Sequence, residues 1–509
     1  MRFKLIGLLT ILSISSVLAQ PDPRLKKLEQ EMHRVLQQTM APGFAVAIVE
    51  KDKIIYSEGF GYSDYENKIP VDANTLFAIG STSKAFTSAL LGQLRDDNKL
   101  SFNDSPIKYI PELKFYNDEL NNNVIIEDLM CHRTGLSRHD LSWYLFPTFD
   151  KDSLIRRVQY LEPFSGIRQK WHYNNFMFLV QGVITERITG KSWEANITDL
   201  ILKPLSMDRS NTSITELEQS DNAALGYKLR PDSTIHRMDY YHIAAMSPAG
   251  SINSSVNEMG NWLITWINKG KFKGEQIIPE AYINEAITSH MTIGGLPSKQ
   301  LPELHFTDYG YGWFVSSYKG HYKVDHGGNI DGFSAKVTFF PTDSLGIVVL
   351  TNQDRSALPS LVTNILADRL LQEQPTDWLA NYNKTLAEAL KKMEKETDTI
   401  AEDEPTDTPP SHPAEAFAGK YGHPGYGDIS VTAKNDSLFA NFRLKKFYLK
   451  NQHYNVFETC EVTETGIDTT DNNPLRLNFR INDDGELSSI FIRIERALDH
   501  PLEFKRLTE

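Results

Sequence analysis

The chain has 509 residues, enough for two or three domains, and its composition, 40% hydrophobic and 23% charged, excludes collagen-like, coiled-coil and wholly disordered classes. A formal charge of -13 offers no basic face to nucleic acid or to an anionic membrane, so neither is expected as a partner. The only cysteines, Cys131 and Cys460, lie far apart and make neither a disulfide framework nor a metal site; two packed free thiols are expected ahead of a bridge between domains.

At the N-terminus, Arg2 and Lys4 precede an apolar run from Leu5 to Leu18, and Val17-Leu18-Ala19 supplies the small residues of a cleavage site before Gln20. Residues 1–19 therefore read as a signal peptide, too short for a comfortable membrane span, with no cysteine after the cut for lipidation. No later stretch is apolar enough to cross a membrane. The mature chain is expected to be secreted or periplasmic, without an integral span. Leu25, Leu28, Met32, Val35 and Leu36 follow a helical period that Pro42-Gly43 stops, and strands are expected over 44–49 and 54–57.

Next comes Ile79-Gly80-Ser81-Thr82-Ser83-Lys84, leading directly into the run Ala85 to Leu91. Apolar positions 85, 86, 89, 90, 91 and 94 predict a helix buried on most of its circumference, with Ser81 and Lys84 on one face of its first turn. A serine hydroxyl must lose its proton as it attacks, and a lysine amine one turn away can accept that proton once burial has lowered its pKa. The helix N-terminus adds backbone N–H groups that favour developing negative charge. Two other S-x-x-K tetrads show how weak the pattern is alone. Ser105-Pro106-Ile107-Lys108 reads as a cap followed by proline at the first helical position, and Ser316-Ser317-Tyr318-Lys319 lies in a strand-like run that would send its ends to opposite faces.

A helical, loop-rich middle follows from about 100 to 270, then strands over 309–317, 336–340 and 345–351, and a helix over 358–371. Strands at both ends with helices between imply an α+β unit over 20–378: one antiparallel sheet flanked by helices, with a helical subdomain. Residues 379–414 read as a charged helix and an acidic, proline-rich linker. From 415 to 509 the pattern alternates, clearest in Leu475, Leu477, Phe479 and Ile481, which predicts a small all-β domain, a barrel or curled sheet.

A serine and a lysine still need a proton donor for the leaving group and a cradle for the oxyanion. Trp171-His172-Tyr173-Asn174-Asn175 offers the Tyr173 phenol as acid or base and the Asn175 amide for a substrate carbonyl, although Tyr-x-Asn also occurs at Tyr65 and Tyr282. Asp325-His326-Gly327-Gly328-Asn329 offers bare backbone after a strand, and His326 could donate a hydrogen bond or modulate the Tyr and Lys pair.

In order and separation, Ser81-x-x-Lys84, Tyr173-x-Asn175 and His326-Gly327-Gly328 resemble the three motifs of the superfamily of class C serine β-lactamases, penicillin-binding proteins and esterases, the peptidase S12-like serine hydrolases. Asp128 to Leu136 and Pro248-Ala249-Gly250-Ser251 are further likenesses, so the resemblance covers roughly residues 25–375. The last hundred residues look like the lipocalin-like module of some D-aminopeptidases of that superfamily. The resemblance implies two-step acyl transfer: Ser81 attacks, Lys84 and Tyr173 share the proton, Asn175 positions the substrate, and the N–H groups of Ser81 and Asn329 hold the oxyanion. His326, Gly327 and Gly328 would complete the substrate-binding wall. No cofactor or metal is implied. The implied partner is a small-molecule or peptide substrate, most of all a D-amino-acid peptide or a small ester; the oligomeric state is open. β-Lactamases carry lysine where His326 stands, and a neutral imidazole lacks the charge offered to a β-lactam carboxylate, which demotes antibiotic hydrolysis. The rival of another class is a penicillin-binding-type sensor that is acylated without turnover.

Overall fold

The computed structural model describes residues 22–230, 232–239, 242–295, 303–400, 408–463, 466–469 and 474–508. The signal-peptide reading over 1–19 and the acidic core of the linker, 401–407, lie outside the described residues.

Phe44, Val46 and Ile48 point to one side of their strand and Ala45, Ala47 and Val49 to the other, and all are buried, so this strand has to be covered on both faces. It sits in a nine-stranded antiparallel sheet, with Lys53–Asp64 on one flank and Leu345–Thr351 on the other. Leu345–Thr351 pairs on with Phe333–Phe340, and that strand with His321–Ile330. The chain's return to close the sheet is thus as the sequence implied. One face packs on the helices Leu28–Thr39 and Leu358–Leu370 through Met32, Val35, Val362 and Leu366. The other face carries Val256–Ile267 and the helical subdomain.

Two expectations need correcting. Phe314–Tyr318 and His321–Ile330 form a hairpin that turns at Lys319-Gly320, both at positive φ, so Lys319 leaves the strand and pairs with Asp368. Gly327 and Gly328 lie inside the second of these strands rather than after it. Glycine weakens a strand signal without ending a strand whose neighbours hold it in register.

The linker helix runs Trp378–Ile400. Beyond 408 the strands form a second nine-stranded antiparallel sheet, and pairing of Lys446–His453 with Val456–Thr463 closes it into a barrel. Its interior is filled by aromatic rings, Phe417, Phe457 and Phe479 meeting edge to face. Phe146 of the first unit enters the same core, 5.6 Å from Phe442 and 6.2 Å from Phe504 between ring centroids. Both cysteines are buried, and no disulfide joins them.

Candidate active site

Gly80 adopts φ +52, and the next residues form a short 3-10 turn, Gly80–Ser83, before the helix Lys84–Asp96. Thr82 Oγ1 donates to Ile79 O at 2.9 Å and Ser83 Oγ to Gly80 O at 2.7 Å, so the small hydroxyl residues tie the turn down. The helix behind it is buried along most of its length, and Phe86 stacks on Trp262 at 3.8 Å. Ser81 is thereby held at the mouth of a packed core.

Lys84 is wholly buried. Its Nζ lies 3.1 Å from Ser81 Oγ and donates to Ala249 O at 2.7 Å, with the Tyr173 ring 4.8 Å and the Phe178 ring 5.3 Å away. Burial, with help from the Arg138 guanidinium, holds the amine well below the ordinary lysine range. Once neutral, the amine has a lone pair for the Ser81 proton.

Tyr173 precedes the helix Asn175–Thr189, whose N-cap Asn174 accepts from Met177 N at 3.1 Å. His132 brackets the tyrosine: its carbonyl accepts from His172 N at 3.0 Å and its Nδ1 from Asn174 N at 3.1 Å. The Tyr173 hydroxyl is buried near the Ser81 hydroxyl and completes no hydrogen bond of good geometry among the described residues. Burial pushes the phenol well above the ordinary tyrosine range, and proximity to Ser81 only partly offsets it. Tyr173 is therefore a proton donor at neutral pH.

Asn175 lines the cleft, and its Nδ2 donates to Asp140 Oδ1 at 2.8 Å. Asp140 also accepts from Trp143 Nε1 at 3.1 Å and from Arg138 Nε at 2.6 Å, while the Arg138 guanidinium lies 4.8 Å from the Tyr173 ring centroid. Sequence reasoning missed Arg138 and Asp140. Their segment, just after the matched Asp128 to Leu136 stretch, carried no periodic signal.

Asn329 lines the same cleft as Ser81. A Cβ placed on Gly80 would lie 3.0 Å from Asn329 N, and one on Gly328 would lie 2.0 Å from Ile79 O and 3.3 Å from Ser81 N. The turn and the strand touch backbone to backbone, so the residues expected to supply the oxyanion hole, Ser81 and Asn329, lie on elements in direct contact. His326 stands apart from the cleft: its ring is buried, 6.2 Å from the Tyr173 ring. Its Nδ1 donates to Gly327 O at 2.6 Å and its Nε2 accepts from Tyr309 Oη at 2.9 Å. Desolvation lowers its pKa to about 3, so the ring is neutral near pH 7. Gly327 likewise contributes strand backbone outside the cleft lining.

The cleft has a volume of about 910 Å³ and lies between the catalytic unit and the barrel. Away from it, Glu127, Cys131 and His290 bring donor atoms within 4.8 Å of one another. Glu127 already accepts from Arg133, His290 and Tyr311, and burial keeps the Cys131 thiol protonated, so hydrogen bonding accounts for this group.

A family model described as Beta-lactamase matches residues 31–372, and one described as Domain of unknown function (DUF3471) matches residues 403–506. Unguisins hydrolase ungD' of Aspergillus campestris (strain IBT 28561) is 28% identical over 432 residues, 79% of this chain and 78% of that protein. Protein flp of Staphylococcus aureus (strain MW2) is 25% identical over 332 residues, 65% of this chain and 63% of that protein. Solved structures that share the fold include two of note. The octameric penicillin-binding protein homologue from Pyrococcus abyssi has a TM-score of 0.62 at 20% identity, covering 94% of this chain and 99% of that one. The D-stereospecific amidohydrolase from Streptomyces sp. has a TM-score of 0.55 at 17% identity, covering 67% of this chain and 99% of that one. With the family model spanning most of the chain, and a buried amine poised on a serine at the mouth of the cleft, this chain belongs to the β-lactamase family and is a serine hydrolase.

Proposed function

We propose that the chain is an exported hydrolase that cleaves an amide or ester through an acyl-enzyme on Ser81, with a D-amino-acid peptide or a small ester as substrate. The observation that carries this reading is the wholly buried Lys84 amine, 3.1 Å from Ser81 Oγ, with its pKa held well below the ordinary lysine range by desolvation. Ser81 Oγ bonds to the substrate carbonyl carbon as its proton passes to Lys84. The oxyanion so formed faces the N–H groups of Ser81 and Asn329. As the intermediate collapses, the bond to the leaving nitrogen or oxygen breaks, the leaving group takes the Tyr173 proton, and the Lys84 ammonium restores the phenol. Water then attacks the acyl carbon and gives its proton to Lys84. The acid product departs as Ser81 recovers its hydroxyl. Hydrolysis is supported by the name of an unguisins hydrolase among the similar proteins, amide chemistry by that of a D-stereospecific amidohydrolase, and export by the Arg2 to Ala19 pattern.

The test uses the mature chain with a panel of D-aminoacyl anilides, activated acyl esters and a chromogenic cephalosporin, together with Ser81→Ala. Turnover of an ester or anilide well beyond one equivalent, lost in Ser81→Ala, is expected, with a fluorophosphonate adduct mapping to Ser81. One equivalent of acylation without release would identify a sensor, and an adduct on another residue would remove Ser81 as nucleophile.

A further inference from the structure

The segment that carries Arg138 and Asp140 is gripped from outside its own domain. Between them stands His139, a non-glycine residue at φ 46, a left-handed conformation that persists only where surroundings hold it. Its backbone N–H donates to Glu495 Oε2 of the barrel at 2.7 Å. Its ring is buried and neutral, with Nε2 donating to Glu162 O at 2.9 Å and Nδ1 accepting from Tyr426 Oη of the barrel at 2.8 Å. Three residues on, Ser142 Oγ donates to Gly425 O at 2.6 Å. The neighbours of this grip face the chemistry: Arg138 lies against Tyr173, and Asp140 fixes the Asn175 amide. The barrel also forms one wall of the cleft that holds Ser81, through Lys445, Phe447, Thr459, Glu461, Leu475 and Arg496.

We propose that the C-terminal barrel, whose family model is described as a domain of unknown function, is a working part of the hydrolase site, with Glu495 and Tyr426 acting as positioning residues that hold Arg138 and Asp140 where Tyr173 and Asn175 need them. This rests on the serine-hydrolase reading above. Loss of the Glu495 acceptor frees the His139 N–H, and the strained residue relaxes toward ordinary backbone. Asp140 then swings off Asn175 and Arg138 off Tyr173. Neither barrel residue reaches the reacting atoms, so the loss falls on kcat through geometry rather than on the affinity of the cleft.

The experiment uses the full mature chain as wild type, Glu495→Ala, Glu495→Gln and Tyr426→Phe. Each is assayed for kcat and KM on an activated ester, for the rate of fluorophosphonate labelling at Ser81, and for hydrogen exchange over residues 138–146. Glu495→Ala should lower kcat and the labelling rate at least tenfold with KM changed less than threefold, and exchange in the segment should accelerate. Glu495→Gln keeps a carbonyl acceptor and should recover most of the loss. Tyr426→Phe should show a smaller loss in the same direction, and it carries the test if Glu495→Ala does not fold. Variants with wild-type kcat and labelling, or with loss matched only by a fall in folded fraction, would overturn the proposal. A wild type that neither turns over nor labels at Ser81 would instead fail the hydrolase reading, and exchange over 138–146 would still report whether the barrel holds the segment.

Discussion

The Lys84 amine is enclosed by two aromatic rings and a carbonyl, and this desolvation disfavours its charge. As pH falls through its depressed pKa the amine takes a proton, the base for Ser81 is lost, and kcat/KM should fall on the acid side. Tyr173 sets no limit near neutrality because its phenol stays protonated there, and His326 is neutral at any pH well above about 3. The Arg138 guanidinium contributes to the depression of Lys84, and Asp140 opposes it. Arg138→Gln should therefore move the acid limb of the ester pH–rate profile to higher pH, whereas His326→Gln should leave its midpoint in place. An acid limb that disappears with His326 would transfer the base to the imidazole. The Ser81 and Lys84 pair was legible because one helical turn writes it into consecutive residues. Asp140 was not, since its bond to Asn175 spans 35 positions and a charged loop residue carries no period.

A strand and a turn meeting with no side chains between them bring the proposed oxyanion donors together, and that contact requires glycine at Gly328. A methyl there would meet Ile79 O at 2.0 Å, backbone against backbone, so neither side can yield by rotating a side chain. Gly328→Ala should push the strand off the Ser81 turn and lower kcat by about a hundredfold or more, the scale of losing one oxyanion donor. The measurement is kcat on the activated ester beside a thermal melt; wild-type kcat in a folded Gly328→Ala protein would show that Asn329 N plays no part. At this scale the sequence was informative where strands are buried on both faces, as over 345–351, because continuous apolar runs survive any register. It misplaced the glycine pair outside its strand and read Lys319 into a strand, since both lie in tight local hairpins whose short turns leave little mark on a run of strand-forming residues. Alternation in the last hundred residues showed strands, but closure into a barrel depends on the pairing of 446–453 with 456–463 and not on any one strand's pattern.

For the whole molecule, the question is what makes two separately recognisable units act as one body, and Phe146 answers it in a single side chain. It belongs to the catalytic unit, yet its fully buried ring packs against Tyr426, Phe442 and Phe504 of the barrel, and its carbonyl accepts from Arg157 Nη1 at 3.0 Å. Arg157 also donates to Ser142 O, so the segment is tied on both sides. Truncating a buried phenylalanine costs about 3–5 kcal/mol when the cavity cannot collapse. Here the loss falls on the contact between units, because the cavity opens among barrel rings while the Ser81 helix and the central sheet keep their own cores. Phe146→Ala should therefore uncouple the melt: calorimetry is expected to give one transition for the wild type and, for the variant, an earlier barrel transition and a later catalytic one. Ester turnover should fall with the first. Phe149→Ala is the matched control three residues away, a ring 73% exposed whose loss should move stability by about 0.5 kcal/mol or less. If Phe146→Ala melted in one transition at the wild-type temperature, the barrel would be held by its polar contacts alone, and the aromatic plug would be filling rather than fastening.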